Sequence, residues 1–472
     1  MGNIHDLGAL EQAKAVRLRE ISPVQIVDHY LERIAEHNET VGAFITVTEE
    51  HARKSARSAE KAVLDGLPLG PLHGVPTAIK DLNNTNGVTT TFGSATKRHF
   101  VPDFDDHVVI ALRRSGVISL GKTNVPEFGA PVYTENAIAP SARTPWDLSL
   151  SAGGSSGGAA TAVASGLVPF AQGSDGGGSI RIPAGVCGVF SIKPSRGRVS
   201  NGPASNDVTG FATNGAISRT VADAAALLDA MAVPFAGELY HAPPLPDGET
   251  FEQHATRAPG RLRVGRYITP LVPGARADPV CVAAWEDLSD LLAGLGHDVV
   301  EVQRPMSEDV WGWFRTVLDV GSAGRRDIDE WDRLTPLTRW LRGRGDGISG
   351  EEFYSAMKGI RMASRRAIND SFPYDVLLSP TVGMPPQPIG WFTEGLPPES
   401  TFARMERFSC FSAIYNITGQ PAVNVPLCWS REGLPIGMTL AGRPFEEATL
   451  ISLAAQLEAA RPWTGRVPEV WK

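Results

Sequence analysis

Ser155 and Ser179 each stand inside a glycine-rich segment, Gly153-Gly154-Ser155-Ser156-Gly157-Gly158 and Asp175-Gly176-Gly177-Gly178-Ser179-Ile180-Arg181. Glycine clusters let the backbone approach a ligand and turn amide N–H groups toward it, so serines set among them point to a nucleophile beside an oxyanion site. Lys80 precedes both serines, at the end of the apolar run Val75-Pro76-Thr77-Ala78-Ile79. Taken alone, it reads as a strand-end lysine reaching for solvent. The two segments do not read as Gly/Ser linkers, because Asp175 and Arg181 flank Ser179, Ile182-Pro183 follows, and the apolar stretches Ala159–Val163 and Leu167–Ala171 adjoin.

Two other motifs compete for attention. Gly116 to Thr123 satisfies the phosphate-loop pattern, but Val117 to Leu120 is apolar and β-prone where that loop is irregular, and Pro126 falls where its helix should be under way. Gly153-x-Ser155-x-Gly157 fits the nucleophile elbow, yet Trp146–Ala152 is a poor strand, and His241, His254 and His297 lie in turn-like surroundings.

The elements that must position these residues alternate. Ser22-Pro23 opens a helix whose apolar residues, Val24, Ile26, Val27, Tyr30, Leu31 and Ile34, predict an end near His37-Asn38. Strands are expected at 42–47, 75–79 and 117–120, with a helix over 106–115 between the last two. Later strands are expected at 261–267, 299–302, 374–379 and 422–427, and helices around 282–292 and 445–460. This alternation predicts an α/β layer fold.

Bulk properties narrow the function. The 472 residues carry 44 Lys and Arg against 52 Asp and Glu, a net charge of −8, with no long basic run. A nucleic-acid or anionic-membrane surface is therefore not expected, and a small-molecule partner is. The N-terminus is charged throughout and no apolar run reaches membrane-spanning length, so neither export nor insertion is expected. Cys187, Cys281, Cys410 and Cys428 lack ligand or disulfide spacing. Reduced thiols, a cytoplasmic location and no metal site are the expectations.

The stretch from Pro71 to Ser200, reading PLHGVPTAIKDL, SAGGSSGGAA, GSDGGGSIRIPAGVCG and IKPSRGRVS, resembles the amidase-signature family of serine hydrolases. The likeness resumes at Tyr415–Pro421 and at Gly433–Gly437. It implies a mixed β-sheet core covered by helices on both faces, and one domain over 1–472: a signature core of about 71–232, a proline-rich crossover at 233–260, and a variable substrate-facing insert of about 299–407. By residue, it makes Lys80 the catalytic lysine, Ser155 the bridging serine after a cis peptide bond, and Ser179 the nucleophile. The amides of Gly176, Gly177, Gly178 and Ser179 become the expected oxyanion hole; Ser156, Asp175 and Arg181 become accessory or scaffold residues.

An amide is a poor electrophile with a poor leaving group, so the hydroxyl must be activated and the nitrogen protonated. A lysine kept neutral by an apolar pocket supplies both through a serine relay. The implied activity is cleavage of a carboxamide-type bond in an amide, acyl hydrazide or aryl amide, without metal or organic cofactor. An esterase of the same fold, an amidotransferase and a non-catalytic subunit are the alternatives, and a homodimer is a family-level expectation. Ile182 stands where glutamine-using amidotransferases usually carry Gln, which favours a free-standing hydrolase. Ser174 and Gly176, where threonines are frequent, and Thr144-Pro145 in place of Asn-Pro, depart from the pattern without removing a catalytic group. Tyr133, Trp311, Trp313, Phe411 and Tyr415, with Phe314 among them, are the aromatic candidates for the substrate pocket; an aryl or other apolar acyl group would suit it.

Overall fold

The computed structural model describes residues 3–204, 207–324, 328 and 330–472. Residues 325–327 and 329 of the expected insert, and 205–206 of the expected core, fall outside that description.

Eleven strands form one mixed sheet: β1 (Phe44–Val47), β2 (Pro76–Lys80), β3 (Ile118–Thr123), β4 (Phe170–Asp175), β5 (Phe190–Lys193), β6 (Thr213–Ser218), β7 (Arg263–Arg266), β8 (Asp298–Glu301), β9 (Val376–Pro380), β10 (Ala422–Trp429) and β11 (Pro435–Gly442). Their spatial order is β1-β3-β2-β4-β6-β5-β10-β11-β9-β7-β8. β2 runs parallel to both β3 and β4, and β7 runs parallel to both β8 and β9. The remaining neighbours are antiparallel.

Successive side chains of a strand point to opposite faces. Ala78 and Ile79 of β2 accordingly enter different cores, as do Ala171 and Phe170 of β4, and Ile217 and Ala216 of β6. The first core packs under the helices His107–Arg114, Val221–Met231, Pro279–Gly294 and Glu447–Ala460; the second packs under Pro23–Val41, Glu49–Leu64, Gly157–Ala164 and Arg181–Cys187. Helices therefore cover both faces, and the fold is α/β as expected.

The first long helix starts where the sequence placed it, with the Ser22 hydroxyl accepting from the Gln25 N–H and Pro23 in the first turn. It runs on to Val41, past the expected end at His37-Asn38, because buried Val41 completes its apolar face and Gly42 supplies the left-handed C-terminal residue at φ 66°. The phosphate-loop look-alike is β3. Its Lys122 is buried, donates to Asn83 O, Thr85 Oγ1 and Thr90 Oγ1, and lies 3.6 Å from Asp81.

Candidate active site

β2 and β4 are parallel neighbours, paired at Ala78 and Ala171, so their C-terminal ends lie side by side. Lys80 closes β2 and Asp175 closes β4. The turn from β4 into the helix Arg181–Cys187 carries Ser179, and the turn before the helix Gly157–Ala164 carries Ser155, whose peptide bond to Gly154 is cis. Two turns and a strand end thus bring together three residues far apart in sequence.

Lys80 is fully buried, and its Nζ lies 2.9 Å from Ser155 Oγ and 2.9 Å from the carbonyl oxygen of Ser174. Its own N–H donates to Gln172 Oε1 at 2.8 Å, which fixes the strand end. Burial lowers the ammonium's pKa to about 7, although the Asp175 carboxylate pulls the other way. Ser155 is buried as well, whereas Ser179 is half-buried and open to a reactant. Among the described residues the Ser179 hydroxyl has no hydrogen-bond partner. Its carbonyl accepts from the Ser156 N–H at 3.0 Å, and Ser156 Oγ donates to Ser174 O at 3.1 Å. Ser156 is a strut between the two serine segments.

The turn that carries Ser179 is wound around Asp175. That carboxylate accepts from the backbone N–H of Gly178 at 2.7 Å and of Ile180 at 3.2 Å, from Arg181 Nε at 2.9 Å and Nη2 at 3.1 Å, and from Asn416 Nδ2 at 2.8 Å. Burial alone would raise its pKa, but the Arg181 charge and these hydrogen bonds outweigh it and hold the carboxyl well below the ordinary range. One expectation changes here. The Gly178 N–H is engaged by Asp175, so of the four amides expected at the oxyanion site only those of Gly176, Gly177 and Ser179 are left to face a ligand. Gly178 serves the turn instead: at φ 125°, with Ser412 Oγ where a side chain would stand, only glycine fits.

Asn416 was not singled out from sequence. Its Nδ2 also donates to the Asp175 carbonyl at 2.8 Å and to Phe211 O at 3.1 Å, while its Oδ1 accepts from Arg181 Nη2 at 2.7 Å. Ser412 Oγ, nearby in sequence, donates to Gly177 O at 2.9 Å. The segment containing both residues clamps the turn from behind.

The expected pocket aromatics separate. Phe411 and Tyr415 are buried in one apolar cluster together with Phe314 and Trp311, and the Tyr415 hydroxyl is paired with that of Tyr267 at 2.9 Å. Trp313 lies against Gly359 of the helix Gly350–Ser371. Tyr133 is buried, stacks on Phe392, and its backbone abuts Gly154. Trp311 is buried against Phe314 and donates to Glu406 Oε1 at 2.8 Å. Phe314 reaches the turn that carries Ser179: a Cβ on Gly177 would stand 3.7 Å from its Cζ.

The histidines that an elbow-type triad would need are engaged elsewhere, His254 with Glu249 and His297 with Gln456 and the Leu262 N–H. Among the described residues no group of three or more His, Cys, Asp or Glu is placed to hold a metal, and no helix is long and apolar enough to cross a membrane.

The family model for amidases matches residues 25–451. The chain is 38% identical to the amidase-family protein AmiB2 of Mycobacterium tuberculosis over 98% of each chain, and 32% identical to an acylamidase of Rhodococcus erythropolis over 99% of this chain and 98% of that one. The solved structure of 6-aminohexanoate cyclic dimer hydrolase complexed with substrate superposes with a TM-score of 0.92 at 32% identity, covering 99% of this chain and 100% of that one. The fold and these likenesses define a hydrolase of carbon–nitrogen bonds. The chain belongs to the amidase-signature family.

Proposed function

We propose that this chain hydrolyses small linear carboxamides, and their hydrazide or aryl-amide analogues, through an acyl-Ser179 intermediate served by Ser155 and Lys80. The observation that carries the reading is the 2.9 Å contact between Lys80 Nζ and Ser155 Oγ in a pocket dry enough to bring the lysine down to about 7. A neutral amine there keeps one N–H on Ser174 O and turns its lone pair to the Ser155 proton. Ser155 in turn takes the proton of Ser179, whose Oγ bonds to the substrate carbonyl carbon. The carbonyl oxygen becomes an anion against the amides of Gly176, Gly177 and Ser179. When the C–N bond breaks, the proton held on Lys80 returns through Ser155 to the departing nitrogen. Water then adds to the acyl carbon over the same relay and releases a carboxylic acid and free Ser179. The activities of the relatives, an acylamidase and a cyclic-dimer hydrolase, support the bond type. Esters would pass through the same intermediate, needing less help for their leaving group.

A fluorophosphonate probe should label one peptide, the one containing Ser179, and Ser179→Ala should abolish both labelling and amide turnover. A tag that maps to Ser155 or Ser156, with Ser179→Ala labelled at the wild-type rate, would overturn the assignment of the nucleophile.

A further inference from the structure

Like Ser179, the residues Leu82, Gly129, Gly176, Gly177 and Ala212 are partly exposed. Two separate contacts mark the ends of this set. At one end, a methyl group placed on Gly129 would collide with Leu82 Cδ1 and stand 3.4 Å from Ser155 Oγ, so Leu82, Gly129 and the relay serine meet at a single point. At the other end, methyl groups on Gly177 and Gly176 would stand 3.7 Å from Phe314 Cζ and 3.9 Å from Ala212 Cβ. Phe314 is itself 2% exposed and is backed by Phe211 and Trp311, at ring centroid distances of 5.5 and 5.4 Å.

The chemistry orients a substrate between these ends. In the tetrahedral intermediate, the carbon carries Ser179 Oγ, the oxyanion, the nitrogen and the acyl substituent. The oxyanion must face the glycine amides, and the nitrogen must face Ser155, which returns its proton. A substituent on the nitrogen therefore runs toward Leu82 and Gly129, and the acyl substituent, on the same carbon as an oxyanion held at Gly176 and Gly177, passes the Phe314 ring that stands against Gly177. Resting on the acyl-Ser179 reading above, we propose that Leu82 selects the departing amine and Phe314 the acyl group, so that two specificities reside on two separate walls. Leu82, partly exposed, offers apolar contact to an arylamine. Phe314, wedged tip-first against Gly177, limits how far an acyl group extends.

The test is a set of four substrates, acetamide, acetanilide, benzamide and benzanilide, with kcat/KM measured for wild type, Leu82→Ala and Phe314→Leu. A lost or gained apolar contact in a pocket changes selectivity by about 10- to 200-fold. Leu82→Ala should lower the anilide-to-primary-amide ratio about tenfold or more for both acyl groups, leaving the benzoyl-to-acetyl ratio within about twofold. Phe314→Leu should raise the benzoyl-to-acetyl ratio by a similar factor without moving the amine ratio; it is chosen over alanine because emptying a buried aromatic site costs about 3–5 kcal/mol of stability. A melting curve for each variant establishes that it is folded. Ser179-dependent turnover in which Leu82→Ala moves the acyl ratio, or in which neither variant moves its own ratio, overturns the proposal and leaves the nucleophile assignment standing. Turnover of these substrates that survives Ser179→Ala, or no turnover of any of them, overturns both.

Discussion

Lys80→Ala and Ser155→Ala should each lower kcat on an amide by about 10³-fold or more, and the double variant should be little worse than either, because in the proposed relay the two side chains move one proton as a unit. The 2.9 Å Nζ–Oγ contact is what makes them a unit. Removing either end breaks the same path, so the second loss has nothing left to break. An activated ester should suffer less, since its leaving group departs without a proton. The wild-type rate should rise with pH through a single group near 7, where buried Lys80 loses its proton, and that limb should be absent from Lys80→Ala. The sign follows from the role: the base works only when neutral, so activity falls as pH drops below its pKa. Multiplicative losses in the double variant, or a Lys80→Ala enzyme with the wild-type amide rate and pH profile, would remove Lys80 as the base.

The serines of the site were legible because glycines beside serines are a pattern that survives without knowledge of the fold, whereas Lys80, which alone reads as a strand-end lysine, was marked only by the resemblance to the amidase-signature family. Much of the scaffold lacks such marks. β4, β5 and β6 pair in the middle of the sheet with both faces covered, so Thr213–Ser218, which reads TNGAIS, shows neither alternation nor β-branched enrichment. The helix Gly157–Ala164 begins with two glycines, poor helix formers, because a side chain at 158 would collide with the backbone of Asn124 and Ala43. Packing overrides propensity at that point.

Asn416 and the aromatics illustrate a different limit. Nothing around Asn416 says that its amide reaches back across the chain to Asp175 and Arg181; only the pairing of β10 with β5, and the helix Ile414–Thr418 that precedes β10, bring it there. Aromatic residues carry the reverse problem, since a large ring serves equally as core or as pocket wall. Tyr415, Phe411 and Phe314 all lie in one buried cluster, and Phe314 alone of the three stands against Gly177 beside Ser179.

Asp175→Ala should be the most destabilising single change near the site. It leaves the Arg181 guanidinium buried without its counter-charge and strips the Gly178 N–H of its acceptor, and breaking a buried ion pair from one side costs about 3–5 kcal/mol. Denaturant unfolding of the variant should show that loss, and Arg181→Met should show a similar one. Combining Asp175→Ala with Arg181→Met should cost less than the two single changes added together, because neither charge is then left alone. The acid dependence has a defined sign. Asp175 is held below its unfolded value, so its contribution is present above about pH 3.9 and fades as pH falls through the folded-state pKa. A second readout separates this structural role from an electrostatic one. The Asp175 carboxylate raises the Lys80 pKa against the pull of burial. In Asp175→Asn, which keeps an acceptor oxygen for the turn, the residual rate should therefore show its limb at lower pH than wild type, while kcat on the alkaline plateau falls through loosening of the Gly176–Ser179 amides. A limb that stays in place or moves upward would mean that the two buried groups do not sense each other, and that the turn and the base are held by separate means.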